Sequence, residues 1–289
     1  MDRPAGLRTC IYDTAQLGAV IDDMARQAAG LLGGRSRIAV IGILRRGAPL
    51  GPCDSSVVTA TFYNFAPQLI DNAWTNACAA GLDVVNARRN QMLSEQFGAI
   101  LGEDATGPQI ADLAARYGEL AASLPLSGRA LAAAWAAADV PDEPILALWQ
   151  HITVLREWRG DNHIAALVVH GIDGLDACVF HEADLLDPTI RRRAMGKTMT
   201  MLTRGWSEDD WNASVERLVE RGLIERTDSP VGHRLTPDGA ELYDDMEAMT
   251  DAVSESAWTG PGADELLDAM RPLAKKVLDA GVLPGTKKK

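Results

Sequence analysis

Residues 207–242 read SEDDWNASVERLVERGLIERTDSPVGHRLTPDGAEL, and the fold of the C-terminal half follows from them. Ser207 followed three residues later by Asp210 is a capping-box pattern, in which a hydroxyl accepts an orphan amide and an acid answers the reciprocal one. A helix therefore starts at Ser207, carries Trp211, Val215, Leu218 and Val219 inward, and stops at Arg221-Gly222, where glycine supplies a left-handed terminus. A strand over 223–227, a turn at Asp228-Ser229-Pro230 with Gly232, and a second strand over 233–235 come next. A new helix then opens at Thr236-Pro237-Asp238-Gly239, and a short helix over 194–203 precedes Arg204-Gly205. Helix, short turn, helix, two-stranded wing, helix is the winged-helix order.

Working outward, VERLVERGLIERTDSPVGHRLTPDGAEL (215–242) resembles the recognition-helix and wing segment of MarR-type regulators. RGAPLGPCDSSVVTATFYNFAP (46–67), RGDNHIAALVVHGIDGLDACVFHEA (159–183) and RGWSEDDWNASVERLVERGLI (204–224) resemble an actinobacterial helix-turn-helix family of unassigned biochemical role. That likeness runs over roughly residues 44–284 on motif order. The likeness strengthens the fold, and the MarR-like segment implies a ligand-responsive, DNA-binding transcriptional regulator acting as a homodimer on two half-sites. Two segments depart from the pattern: the basic insert 187–201 is long, and residues 21–50 are similar to the opening of a PyrR-type phosphoribosyltransferase. The acidic, glycine-containing phosphate loop of such an enzyme is missing downstream, so the first 50 residues read as a chance likeness or a fusion remnant.

The rest of the chain reads as helix. Of 289 residues 47% are hydrophobic but only 5% aromatic, and the alanine-rich stretches 111–122 and 129–138 favour helix over strand. Helices are expected over 14–32, from Ser55 or Ser56 onward, from Pro67, and over 82–100, 107–123, 128–138 and 143–157. Residues 38–44 fit either a buried strand or a helix. The expected fold class is mainly α: a helical N-terminal domain (1–150), a winged helix-turn-helix with a small two-stranded wing (151–258), and a C-terminal helix with a Lys-rich tail (259–289).

A formal charge of −12 excludes a uniformly basic surface, so any contact with double-stranded DNA must be local. The cations do cluster, at Arg191, Arg192, Arg193, Lys197 and Arg204 and again at Lys275, Lys276 and Lys287 to Lys289. The recognition helix would offer Asn212, Ser214, Arg217 and Arg221 to the major groove, with His233 and Arg234 on the wing. Glu208, Asp209, Asp210, Glu216 and Glu220 lie on or beside the same helix and repel phosphate. This favours a second reading, a small-molecule-binding or sequestering protein that keeps the scaffold without binding DNA.

A site for a small hydrophobic or aromatic ligand is expected from Phe62, Tyr63, Asn64 and Trp149, with Arg159 and His163 on a helix-start corner at 159–163. His163, His170, Cys178 and His181 fall within 19 residues, but the spacing matches no metal motif, so neither metal nor cofactor is assigned. There is no GxSxG elbow, P-loop, HExxH or GxGxxG, which leaves no assembled catalytic set. Four dispersed cysteines, an N-terminus without a basic leader and apolar core, and no run of 18 apolar residues make a cytoplasmic location away from membranes the expectation.

Overall fold

The computed structural model describes residues 46–190 and 195–280. The readings for 14–32 and 38–44, Arg191 to Arg193 and the terminal lysines lie outside the described residues. Eleven α-helices are described: α1 (Ser55–Phe62), α2 (Pro67–Ala80), α3 (Leu82–Leu101), α4 (Pro108–Ala122), α5 (Ala130–Ala137), α6 (Pro144–Val169), α7 (Gly174–Glu182), α8 (Lys197–Arg204), α9 (Glu208–Glu220), α10 (Pro237–Glu255) and α11 (Ala263–Asp279). Strands β1 (Ile224–Arg226) and β2 (His233–Leu235) pair antiparallel, with Ile224 opposite Leu235 and Arg226 opposite His233. The fold is thus mainly α with a helix-turn-helix and a two-stranded wing, as the sequence implies.

The chain forms two compact units that interleave in sequence: one takes 46–52, Asn76–Asp161 and 253–280, the other Cys53–Thr75 and Asn162–Ala252. Residues 53–75, expected in the N-terminal domain, thus share a unit with the winged helix.

Tryptophan builds the helical unit. Trp135 and Trp158 are almost wholly buried, as are Phe97, Leu93 and Tyr117. Each ring takes roughly 150–250 Å² out of water, a gross gain of about 4–6 kcal/mol before entropy. That gain offsets a costly guest. Arg89 is 5% exposed, and its guanidinium lies 4.6 Å from the Trp135 ring and 5.1 Å from that of Trp149, so cation–π attraction replaces part of its hydration. Trp149 also meets Trp135 edge-on at 5.2 Å, so its ring is engaged within the core.

Helix α6 corrects the expected corner at 159–163. Gly160 costs a helix interior about 1 kcal/mol relative to alanine, yet α6 runs unbroken from Pro144 to Val169. Asp161 caps no start of its own helix. Its Oδ2 accepts the Leu131 and Ala132 amides at 3.1 and 3.0 Å, satisfying the orphan donors at the start of α5. Burial pushes its carboxyl up to about 6, against the pull of those amides. One turn earlier, Glu157 is 2% exposed and grips Arg46, which donates from Nε and Nη2 at 2.9 and 2.6 Å. Burial raises this carboxyl too, but Arg156 and Arg46 outweigh it and hold Glu157 below the usual range.

In the winged-helix unit the N-cap of α1 is Asp54, not the expected Ser55 or Ser56; its Oδ1 accepts the Ser56 amide at 2.8 Å. The helix ends at Tyr63, whose φ of 57° and ψ of −63°, with an Asn64 N–H to Phe62 carbonyl bond of 2.6 Å, form the strained, rare type of γ-turn. Gly174 explains why the strain is held. A Cβ at that position would sit 2.0 Å from the Tyr63 carbonyl oxygen, so only glycine lets α7 start against this turn. The Tyr63 hydroxyl donates to the Ile172 carbonyl at 2.5 Å and locks the same approach. Trp211, Val215, Leu218, Phe180, Val179, Ile224, Leu235 and Met246 fill the core behind it.

Among the described residues no single helix is long and apolar enough to cross a membrane; α6 and α7 pass such a test only together, across a 98° bend.

Candidate nucleic-acid interface

Helix α8 is set by a single carboxylate. Glu182, at the end of α7, accepts the Met195 amide at 3.2 Å, the Gly196 amide at 2.8 Å and the Thr200 hydroxyl at 2.9 Å, which anchors the α8 N-terminus. The α8 stop is Gly205 at φ 78°, and its amide returns to the Met201 carbonyl at 2.8 Å. A Cβ on Gly205 would lie 2.8 Å from Leu69, so the tight turn into α9 also needs glycine for space. The turn is pinned further by the Trp206 indole, which donates to the Asn64 carbonyl at 3.0 Å, and by the Ala66 amide, which donates to the Arg204 carbonyl at 2.8 Å.

Helix α9 starts with the expected capping box: Ser207 Oγ accepts the Asp210 amide at 3.1 Å and Asp210 Oδ2 accepts the Ser207 amide at 3.1 Å. Gly222 ends it at φ 71°, with its own amide on the Val219 carbonyl and the next amide on that of Leu218. Between α7 and α8 the chain makes a third wing contact. The Asp184 amide donates to the His233 carbonyl at 3.1 Å and the Leu235 amide to the Asp184 carbonyl at 2.9 Å. In order, α7, this bridge, α8, α9, β1 and β2 complete a winged helix with α9 as recognition helix.

The six residues expected at DNA divide sharply. Asn212, Arg217, Arg221 and Arg234 are exposed. Ser214 is fully buried and donates to Asp176 Oδ1 at 2.6 Å, so it belongs to the core contact of α9 with α7. His233 is 1% exposed, with Nε2 at 2.9 Å from the Val179 carbonyl and Nδ1 at 3.1 Å from the Val231 carbonyl; burial pushes its imidazole below the ordinary value. Both were expected to face DNA, and both point inward because the helix period and the wing pairing turn them to the core.

The exposed cations are held from behind or alongside. Buried Asp176 accepts from Arg217 Nη2 at 2.5 Å and raises that guanidinium above its ordinary value, while Arg221 donates to the Gly171 and His170 carbonyls at 2.8 and 3.3 Å. Lys197 pairs with Glu208, Arg226 with Glu216, and Arg234 with Glu225. Across 197–235 there are six cations, Lys197, Arg204, Arg217, Arg221, Arg226 and Arg234. Seven carboxylates oppose them: Glu208, Asp209, Asp210, Glu216, Glu220, Glu225 and Asp228. The surface is close to electrically neutral.

The residues expected at a ligand fall in different units. Trp149 and Arg159 belong to the helical unit, and Phe62, Tyr63, Asn64 and His163 to the winged-helix unit. Phe62 is buried against Phe65 at 5.6 Å, edge-on. His163 meets His181, Nε2 to Nε2, at 3.1 Å. Glu247 on α10 lies 3.9 Å from His163 Nδ1, a neighbour that no local spacing in the sequence could signal across 84 residues.

Neither the curated proteins nor the solved structures contain a match to this chain. The sequence pattern of one family does match, over residues 13–284, and thereby takes in most of the N-terminal segment that reads as a fusion remnant. With that span, and with the turn, recognition helix and wing in place, the chain belongs to this helix-turn-helix family.

Proposed function

We propose that the protein is a DNA-binding transcriptional regulator of MarR-like winged-helix type, acting as a homodimer and responsive to a small hydrophobic or aromatic ligand. The observation that carries this reading is the exposure of Asn212, Arg217 and Arg221 along α9 and at its end, and of Arg226 and Arg234 on the wing. Asn212 suits an adenine edge and the arginines suit guanine or phosphate. Fixing Arg217 on Asp176 and Arg221 on two carbonyls restrains long side chains in advance, saving part of the roughly 2 kcal/mol of rotamer entropy each would otherwise lose. Ligand responsiveness would act through the 62–66 turn, because the Asn64 carbonyl and the Ala66 amide hold the helix-turn-helix turn at Trp206 and Arg204. A molecule that binds one placement of that turn better than another biases the placement of α9.

The near-neutral charge balance favours one alternative, a ligand-sequestering protein on the same scaffold. Fluorescence anisotropy of the full chain with random duplex DNA, titrated with salt, separates the two. The regulator reading expects binding at low salt, with a log–log slope of about −0.9 per phosphate contact. Absence of duplex binding at low salt, together with a ligand-induced rise in melting temperature, would sink it in favour of sequestration.

A further inference from the structure

His163 on α6, His181 on α7 and Glu247 on α10 each present a ligand atom within 4.8 Å of the others, inside the winged-helix unit. All three are half-buried, and all three sit on helices, which place side chains more firmly than loops do. The Nε2 atoms of His163 and His181 lie 3.1 Å apart. Two imidazole nitrogens sharing a tetrahedral zinc, at about 2.05 Å each, are roughly 3.3 Å apart, so the rings already stand at chelating distance.

The environment of His163 decides which nitrogen is available. The Thr250 hydroxyl donates to the Met246 carbonyl at 2.8 Å, so toward His163 Nδ1, at 3.0 Å, it is an acceptor. With the Thr250 hydroxyl so engaged, the tautomer protonated on Nδ1 leaves the Nε2 lone pair aimed at His181. A hydrogen-bonded Nδ1–H behind a ligating Nε2 is the outer-shell arrangement of metal-bound histidines. Cys178, close in sequence, does not join the group: its sulfur faces the Asn64 carbonyl at 3.6 Å, and burial pushes the thiol up to about 11. His170 is turned away as well, with Nδ1 on the Ala166 carbonyl at 2.8 Å.

We propose that His163 Nε2, His181 Nε2 and the Glu247 carboxylate bind a divalent transition-metal ion of the zinc class, with Thr250 as the orienting residue and a fourth position open to water. Two imidazoles and one carboxylate suit zinc, cobalt or nickel in preference to magnesium or calcium. Without metal, His181 Nε2–H donates to His163. On binding, that proton moves to His181 Nδ1, so two neutral imidazoles coordinate with no net proton release. Glu247, 30% exposed and 3.9 Å from His163 Nδ1, reaches the Nε2 side of the ring by a rotamer change. The ion would tie α6, α7 and α10 together, and this inference does not depend on DNA binding.

The test is calorimetric titration of the chelator-treated full chain with Zn²⁺, alongside visible spectroscopy with Co²⁺, whose intense band reports a tetrahedral site. Expected are one equivalent bound, a higher melting temperature, and a tetrahedral cobalt spectrum. His181→Gln and Glu247→Gln should each weaken binding at least about tenfold and alter that spectrum, while Thr250→Val weakens it about 10–100-fold with the spectrum retained. His170→Gln should change nothing. Because His181→Gln could disturb packing, circular dichroism is recorded for each variant, and the more exposed Glu247 keeps the test decisive if that variant fails to fold. Absence of Zn²⁺ and Co²⁺ binding, or binding that survives both His181→Gln and Glu247→Gln, overturns the proposal and leaves a histidine–histidine hydrogen bond.

Discussion

Glu157 in the helical unit and Asp176 in the winged-helix unit are carboxylates of similar burial, at 2% and 5% exposure, and each holds arginine. Their partners differ. Glu157 meets Arg46 and Arg156, whose side chains are 24% and 18% exposed, so the group is enclosed and serves the unit that contains it. Asp176 takes the hydroxyl of fully buried Ser214 with one oxygen and reaches Arg217, 46% exposed, on the outer side of α9. The same chemistry closes a core in one unit and fixes a surface cation in the other. A buried acid under an exposed arginine is therefore a marker of a positioned surface, whereas a buried acid under half-buried arginines marks packing.

Breaking the enclosed group should cost most. Glu157→Ala leaves two arginines without their shared acceptor in a poorly solvated place, and about 3–5 kcal/mol should be lost in urea unfolding. A loss under about 1 kcal/mol would mean that water already reaches the pair.

The neighbouring Asp161 sharpens the contrast through pH. Its carboxyl is raised from 3.8 to about 6, so protonation favours the folded form, and the contribution is complete below pH 4 and lost as pH rises through 6. Glu157, lowered in the fold, contributes in the opposite sense, with stability present above its ordinary value of 4.5 and lost on acidification. The rise at Asp161 corresponds to at most about 3 kcal/mol. Asp161→Asn should flatten the dependence of the urea midpoint between pH 4 and 6; an unaltered profile would remove Asp161 as its source.

Asp176→Ala should cost less, about 1–3 kcal/mol, since Arg217 can turn to water while the Ser214 hydroxyl loses its acceptor. It should nonetheless weaken duplex binding wherever Arg217 contributes. For the same reason Arg217→Ala is not a neutral surface change, and its effect on affinity must be read against its melting temperature. Gly222→Val comes next. Nothing lies within 4 Å of the added Cβ, so the cost is backbone strain at φ 71° alone, about 1–2 kcal/mol in thermal melting. Arg234→Ala should be smallest in stability, within about 0.5 kcal/mol, because Arg234 and Glu225 are both half-exposed. If Arg234 touches phosphate, the same variant lowers the salt slope by nearly one.

The legible part of this fold was local. The capping box at Ser207, the glycine stop at Gly222, the wing strands and the helix opening after Thr236 are all written within four residues of where they act. What depends on distant partners was not legible. Gly160 reads as a break until the Leu131 and Ala132 amides are seen resting on Asp161. Ser214 reads as outward until Asp176, 38 residues earlier, turns it in. His163 and His181 could be noticed by proximity in sequence, but Glu247 and Thr250 join them only through the packing of α10.

The γ-turn at Tyr63 beneath Gly174 also sets a timetable for synthesis. The segment Cys53–Thr75 leaves the ribosome 86 residues ahead of Asn162, the first later residue of its own unit. At roughly 5–20 residues per second, Tyr63 and Asn64 wait on the order of ten seconds before Gly174 and Trp206, which they meet in the fold, exist. During that interval the turn lacks the partners that hold it. Slowing elongation between codons 76 and 206 should lengthen the delay and lower the yield of folded chain in a chaperone-free translation system.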